Sequence, residues 1–425
     1  MKLPFANLYK RANTEKFILS RSIIVISASM LSNVFAYLFQ IVSGRYLSVS
    51  DYAELVSLFS LSGILLMPIT FFTGGTTKLV AEIKDINYPE RISKLFITLL
   101  KFHLAFAITL TLLIVLFAKP LAWYLRIEDL NLIYIFAIAL FAGNLIGFIP
   151  PFTQGLMRFK AYSLLTFLTS FTKFMTALAV MYFALQVKDI FWGLAITTIL
   201  IGLSGILLLK KNIRFRNYEY DTEDFKTLFN YSLLGALGIA STVLLQNIDV
   251  IVVKHHFDEV VAGIYGSTTI IGRIIFYAAS PVAIVMLPIC SERYKKSLDF
   301  IKPFSFSVVI SLGIAILIFA AYSLFPHLII DLLFGEKYLG ASPYLGIYGF
   351  YMVLYTLLNL LIVFFISISK FKYSSLAIIA PITEYLGLLI FNSSIMQVLT
   401  VNILSTAITI VMLLFFFGKV YKESK

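Results

Sequence analysis

The sequence predicts an all-α polytopic membrane protein, with twelve transmembrane helices in two pseudo-symmetric six-helix bundles and both termini inside. Three observations predict it. First, 60% of the 425 residues are hydrophobic and only 13% are charged, with mean hydropathy +0.93. Soluble chains carry about 25% charged residues. Second, the polar residues are bunched between apolar runs of roughly 20, the length that crosses a ~30 Å hydrocarbon core. Third, the longest polar run, residues 210–226 (KKNIRFRNYEYDTEDFK), lies near the midpoint, and apolar spans flank it in matching number and order.

Taken in order, the first half holds spans at 22–43, 53–73, 95–118, 132–153, 164–185 and 190–209. The second holds 231–253, 262–284, 304–324, 344–368, 374–391 and 395–417. The first span follows a basic segment, 1–21, with no small-residue cleavage site, so it is expected to stay in the protein. The second ends before the cations of 78–94, the third before Lys119, and the fourth at the turn carrying Arg158 and Lys160. The fifth stops ahead of Lys188 and the sixth at Lys210. In the second half the stops are Lys254, the cluster from Arg293 to Lys302, the outer stretch 325–343, Lys370 with Lys372, a short polar turn near 392, and Lys419 onward. The expected division is a lobe of residues 1–212 and a lobe of residues 213–425.

Orientation follows from Lys and Arg. With the N-terminus inside, inner segments hold 25 of the 34 such residues; six are outside, and Lys101, Lys173 and Arg273 lie within spans. Phe (40) and Tyr (24) suit lipid-facing and interfacial positions. Outer segments are short, which weighs against an enzyme acting at that face. Cys290 is the single cysteine, so no intramolecular disulfide forms and a Cys-based metal site is disfavoured. No metal, cofactor or catalytic group is expected. The net charge of +12 follows the membrane topology, so no nucleic-acid partner is expected.

The halves match locally. Met157-Arg158-Phe159-Lys160 sits opposite Ser369-Lys370-Phe371-Lys372 at an offset of 212. At an offset of 210, Arg45-Tyr46-Leu47 with Asp51-Tyr52-Ala53 sits opposite His255-His256-Phe257 with Val261-Ala262-Gly263. Six spans per half predict a parallel repeat. Helix breakers concentrate at Pro68, Pro150-Pro151, Pro281, Pro288 and Pro381. Each is a packing kink or a hinge, and Pro68 and Pro281 are the hinge candidates. Gly74-Gly75, ending the second span, suits close packing or a bend.

Four stretches together resemble a family. Gly44-Arg45-Tyr46-Leu47 with Asp51-Tyr52 resembles the GR-x-L…D-[FY]-G element of polysaccharide (O-antigen type) flippases, with Ala53 replacing the usual glycine. Gln154-Gly155-Leu156 with Arg158-Phe159 resembles their QGL-x-RF turn. Leu287-Pro288 with Ser291 resembles L-P-x-x-S, and Phe334-Gly335-Glu336-Lys337-Tyr338 with Ala341 resembles FG-x-x-Y…A. The order of these motifs, the length and the span count place the resemblance in this branch of the multidrug/oligosaccharidyl-lipid/polysaccharide exporter superfamily. The resemblance implies a plasma (inner) membrane flippase, carrying an undecaprenyl-pyrophosphate-linked oligosaccharide to the outer leaflet for lipopolysaccharide-type surface glycans. It leaves ion coupling and contact with polysaccharide-assembly proteins open.

Such cargo needs a wet, cationic path, so charges within spans are the candidates. Arg273 lies about 16 Å into the eighth span at ~1.5 Å per residue. Lys173 is similarly deep in the fifth span and Glu384 in the eleventh. Position 173 plus the 212 offset is 385, so Lys173 and Glu384 are one residue from equivalence and are candidates to pair across a cavity. Arg273, Lys173, Arg45 and Lys254 are the expected substrate-binding cations, Arg suiting bidentate phosphate contact. Interfacial snorkelling is the alternative for Lys254. Glu384 and Asp249 are the coupling or charge-pair candidates, Asp249 as neutraliser of Lys254 or as part of a cation site. Lys101 and His103 are expected near the inner headgroups, and His255-His256 at the outer interface. Asp221, Glu223 and Asp224 form a solvated strip, with Thr222 capping a short helix from Phe225.

Two other functions compete. A cation-coupled multidrug exporter of the same superfamily predicts a cavity dominated by acidic groups. A membrane glycosyltransferase or polymerase would need a larger outer loop and a catalytic acid constellation.

Overall fold

The computed structural model describes residues 5–83, 88–210, 213, 226, 229 and 235–423. The link at 210–226, with its acidic strip and the Thr222 cap, lies almost wholly outside the described residues. Among those described, all regular structure is helical. The helices are α1 (Phe5–Tyr46), α2 (Val49–Leu65), α3 (Met67–Glu82), α4 (Tyr88–Leu116), α5 (Ala118–Tyr124), α6 (Leu130–Ile146), α7 (Ile149–Gly155), α8 (Phe159–Tyr182) and α9 (Val187–Leu209). They continue as α10 (Ala236–Leu245), α11 (Ile248–His256), α12 (Glu259–Lys295), α13 (Ile301–Leu324), α14 (Pro326–Phe334), α15 (Ser342–Ser367), α16 (Phe371–Ser375), α17 (Ile379–Ile390) and α18 (Ile395–Glu423).

Ten stretches among the described residues are long and apolar enough to cross a membrane, or eleven with the α2–α3 pair as one span. The chain is a multi-pass membrane protein. Three expected spans are not single rods. Span two bends by 55° between α2 and α3, at the position of Pro68. Span four is interrupted between α6 and α7, and span seven between α10 and α11. Pro281, by contrast, lies inside the continuous α12. Its missing N–H would have served Tyr277 O, and Ser280 Oγ donates to that carbonyl instead, at 3.2 Å.

Two compact units divide the chain. One comprises Met1–Val42, Phe72–Ala118 and Asn131–Tyr231; the other Ser43–Phe71, Lys119–Leu130 and Ser232–Lys425. The first is built on an apolar core including Leu79, Leu95, Phe96, Phe148 and Phe152. In that unit the glycine of the QGL turn is a close-approach site: a Cβ on Gly155 would stand 2.6 Å from Val80 Cβ. His103 does not reach toward headgroups. It is 2% exposed, and its Nδ1 lies 2.9 Å from Asn144 O, a carbonyl at the break before α7 that also accepts from Gly147 N at 3.2 Å.

The second unit joins two of the flippase-like motifs into one knot. The Arg45 guanidinium donates to the carbonyls of Asp331, Leu332 and Leu333 at 3.1, 2.6 and 3.1 Å, capping the C-terminal end of α14. Lys337 Nζ returns the contact to Arg45 O at 2.9 Å. Tyr52 packs edge-on against Phe334 and Tyr338 at 5.6 and 5.8 Å, and Gly44 leaves room for the Phe334 ring.

The internal repeat is present as local geometry. Met157 and Ser369 both adopt left-handed backbone, φ 57° and 58°. Arg158 N donates to Thr153 O at 3.0 Å, and Lys370 N to Phe365 O at 2.9 Å. These are equivalent Schellman-type turns, each ending one helix and opening the next. The 210 offset repeats a cap: Ser48 Oγ accepts from Asp51 N at 3.0 Å and Asp258 Oδ1 from Val261 N at 2.9 Å. A β-carbon in left-handed backbone is strained, so Ser369→Gly is expected to raise stability by about 0.5–1 kcal/mol. Thermal unfolding in detergent checks this, and an unchanged or lower midpoint contradicts it.

Candidate functional site

The second unit concentrates its buried polar groups at the break between α10 and α11. Asn247 makes the break: its Nδ2 donates to Val243 O at 2.7 Å, competing with the helical ladder. The interrupted helix leaves carbonyls without N–H partners, and side chains from α12 and α15 serve them. Tyr355 OH donates to Thr242 O at 2.9 Å, Tyr351 OH to Leu245 O at 2.8 Å, and Arg273 Nη2 to Gln246 O. Membrane helices tolerate such breaks where protein groups satisfy the backbone.

On the far side of the break, Asp249 occupies the first turn of α11 and is fully buried. Its carboxylate accepts from its neighbour Val250 N at 2.8 Å, from Tyr265 OH at 2.6 Å and from Asn402 Nδ2 at 3.2 Å. Glu384, on α17, is also fully buried, and neither of its oxygens has a hydrogen-bond partner among the described residues. Asn402 Oδ1 and Thr406 Oγ1 on α18 are buried and equally unpartnered. Asp249 feels both Arg273 and Glu384 electrostatically. The result is two carboxylates, one guanidinium and several neutral oxygens withdrawn from lipid.

The other expected site residues are placed differently. Lys173, on α8 of the first unit, is half-buried and makes no hydrogen bond or ion pair among the described residues. Arg45 is exposed, with its donors on the α14 carbonyls. Lys254 does not snorkel: it is 1% exposed, with Nζ 3.5 Å from Arg126 O. Its electrostatic partners are Glu259 and Glu54 rather than Asp249. His255 stacks on Tyr124 with ring centroids 4.0 Å apart and planes 4° apart.

Sequence reading missed Tyr265, Tyr351, Tyr355, Asn402 and Thr406. A signal existed. Tyr348, Tyr351 and Tyr355 follow helical spacing on one face, as do Asn402, Ser405, Thr406 and Thr409 within an otherwise apolar span.

Comparison with known proteins supplies the family. Residues 42–343 match the model of a family described as polysaccharide biosynthesis protein. The chain belongs to that family. Among curated proteins it is similar to the uncharacterized membrane protein MJ1375 of Methanocaldococcus jannaschii, 26% identical over 299 residues, covering 66% of this chain and 69% of that protein. MJ1068 of the same organism is 29% identical over 167 residues, 37% of this chain and 32% of the relative. Among solved structures, an inward-facing multidrug resistance MATE family transporter of the MOP superfamily matches with TM-score 0.77 and 13% identity, covering 95% of this chain and 99% of that one. The lipid II flippase MurJ, in an inward closed conformation, matches with TM-score 0.72 and 14% identity, covering 93% and 87%. The polysaccharide biosynthesis protein described here therefore has the fold of MOP-superfamily transporters.

Proposed function

We propose that this protein flips an undecaprenyl-pyrophosphate-linked oligosaccharide from the cytoplasmic to the outer leaflet of the plasma membrane. It is a transporter, not an enzyme, and supplies a route rather than a reaction. The observation that carries the reading is the family match over residues 42–343, on a fold it has in common with a lipid II flippase. In this proposal twelve spans arise when α1 and the bent α2–α3 pair join the ten apolar stretches, with both termini inside. Lobes 1–212 and 213–425 alternate access to a central path, with Pro68 and Pro281 as hinges. Lys173 has no competing partner among the described residues and is the leading ligand for the pyrophosphate. Arg273 is the second, Arg45 and Lys254 serving the outer end.

Ion coupling is assigned to Asp249 and Glu384. A carboxylate buried without donors is costly as a bare anion, so Glu384 holds a proton or a small cation. Binding and release of that ion would bias the lobes between states. Flipping is tested in proteoliposomes loaded with a fluorescent polyprenyl-pyrophosphate oligosaccharide, reading its exposure to an external quencher. Protein-dependent exchange supports the reading, and exchange no faster than in empty vesicles overturns it.

One observation favours the multidrug exporter as a second reading. In the buried cluster of the second unit, the carboxylates Asp249 and Glu384 outnumber the single cation Arg273. The same vesicles loaded with a cationic dye separate the two: dye efflux without glycan exchange would select the exporter.

A further inference from the structure

A cavity of about 920 Å³ lies away from the buried cluster, within the second unit. Three chain segments line it: the turn from α12 into α13, the turn from α15 into α16, and the last turns of α18. Each of the two turns brings positive charge. Lys295 and Lys302 stand on the first and Lys370 on the second. The one acidic lining residue, Asp299, is committed to the turn itself, its Oδ1 accepting from Ile301 N and Lys302 N at 3.0 and 3.1 Å. Arg293 Nη1 donates to Asp299 O at 2.9 Å, fixing the same loop. Lys296 is paired with Glu292 at 2.5 Å and is not part of the lining. Lys295 and Lys302 make no ion pair among the described residues.

The walls between these cations are apolar and aromatic: Leu298, Phe300, Ile301 and Val420, with Tyr294 and Tyr421. The cavity sits where helices end, and the Lys and Arg distribution assigns that end to the cytoplasmic leaflet. A soluble anion would need the lysines alone. An amphiphile needs the cations for its phosphate and the apolar wall for its chain, and the volume falls in the ordinary range for small-ligand sites.

We propose that this cavity binds the phosphate headgroup of an anionic membrane lipid, with Lys295 and Lys302 holding the phosphate, Lys370 adding positive charge from the facing turn, and the Leu298–Ile301 wall against the lipid's first methylenes. Basic recesses between membrane helices on the cytoplasmic side recognise lipid headgroups in this way. The site is separate from the path proposed for the glycan and stands whether or not that proposal holds.

The test uses the full-length protein in detergent, with bound lipid counted by native mass spectrometry. Phosphatidylglycerol is the anionic probe, phosphatidylcholine the zwitterionic control and inorganic pyrophosphate the soluble one. Phosphatidylglycerol is expected to bind at least tenfold more tightly than phosphatidylcholine. The K295E/K302E variant is expected to lose that preference, K295Q/K302Q to lose most of it, and K296E to keep it. Equal binding of the two lipids overturns the proposal. So does equal loss in K296E, which would mean a diffuse charge effect. Displacement of phosphatidylglycerol by pyrophosphate at equal concentration would reassign the site to a soluble phosphate and likewise overturn it.

Discussion

Transport by the Asp249→Asn variant is expected to fall at least tenfold while its unfolding midpoint stays close to the parent's. Asp249 is fully buried and receives hydrogen bonds from Val250 N, Tyr265 OH and Asn402 Nδ2. An amide keeps the size and one acceptor oxygen, so it holds the Tyr265 bond. It carries no charge with which to bind a proton or cation beside Glu384. Asp249→Ala behaves differently, because truncation strands the two side-chain donors. Each buried donor left unsatisfied costs about 1–3 kcal/mol. The alanine variant is therefore expected to lose both stability and transport, and the asparagine variant transport alone. Proteoliposome exchange measured across a cation or proton gradient, paired with thermal unfolding in detergent, separates them. An asparagine variant that transports at the parental rate with unchanged ion dependence would remove Asp249 from coupling.

Gly263→Val is expected to be the most damaging single change to stability. A Cβ at this position in α12 would collide with the carbonyl oxygen of Val49, at the start of α2, and lie 2.6 Å from Val49 Cγ1. The obstacle is backbone at a capped helix start, where Ser48 already holds Asp51 N, so it cannot rotate aside. Overpacking a tight site costs typically ~1–3 kcal/mol, more where backbone must shift. The valine variant should reach or exceed the upper end of that range and accumulate poorly in membranes. Gly418→Val, at a glycine with open space around it, is the control and should fold normally. Equal unfolding midpoints for the two variants would show that α12 and α2 are not in close contact there.

Much of the architecture is legible in the sequence. Apolar runs of bilayer length are a direct consequence of the solvent, because a chain in hydrocarbon must satisfy its backbone within helices. The repeat was legible through the Arg158/Lys370 and Arg45/His255 offsets. The structure gives that repeat its physical content, since the left-handed turns at Met157 and Ser369 and the caps at Ser48 and Asp258 recur although those residues differ. The break in span four was signalled by Pro150-Pro151, which open α7, but the break in span seven was not legible. Hydropathy does not register where Asn247 diverts the backbone, and the groups that meet the carbonyls at the breaks, His103 in one unit and Arg273 with Tyr351 and Tyr355 in the other, are far away in sequence. Arg45 shows the limit most clearly. Its motif read as a phosphate-binding cation, and nothing local in it announced that the guanidinium also caps α14, nearly 300 residues later.

The sequence by itself determined that this chain is an all-helical, multi-pass membrane protein of the polysaccharide biosynthesis family, because span length, charge placement and short motifs are local properties. Only the tertiary structure decided which polar residues meet. It set Asp249 with Tyr265 and Asn402, left Glu384 buried without a donor among the described residues, and buried Lys254 with its Nζ 3.5 Å from Arg126 O. The reason is physical: the cost of a charge in a membrane depends on what surrounds it, and its surroundings come from helices the linear order keeps apart.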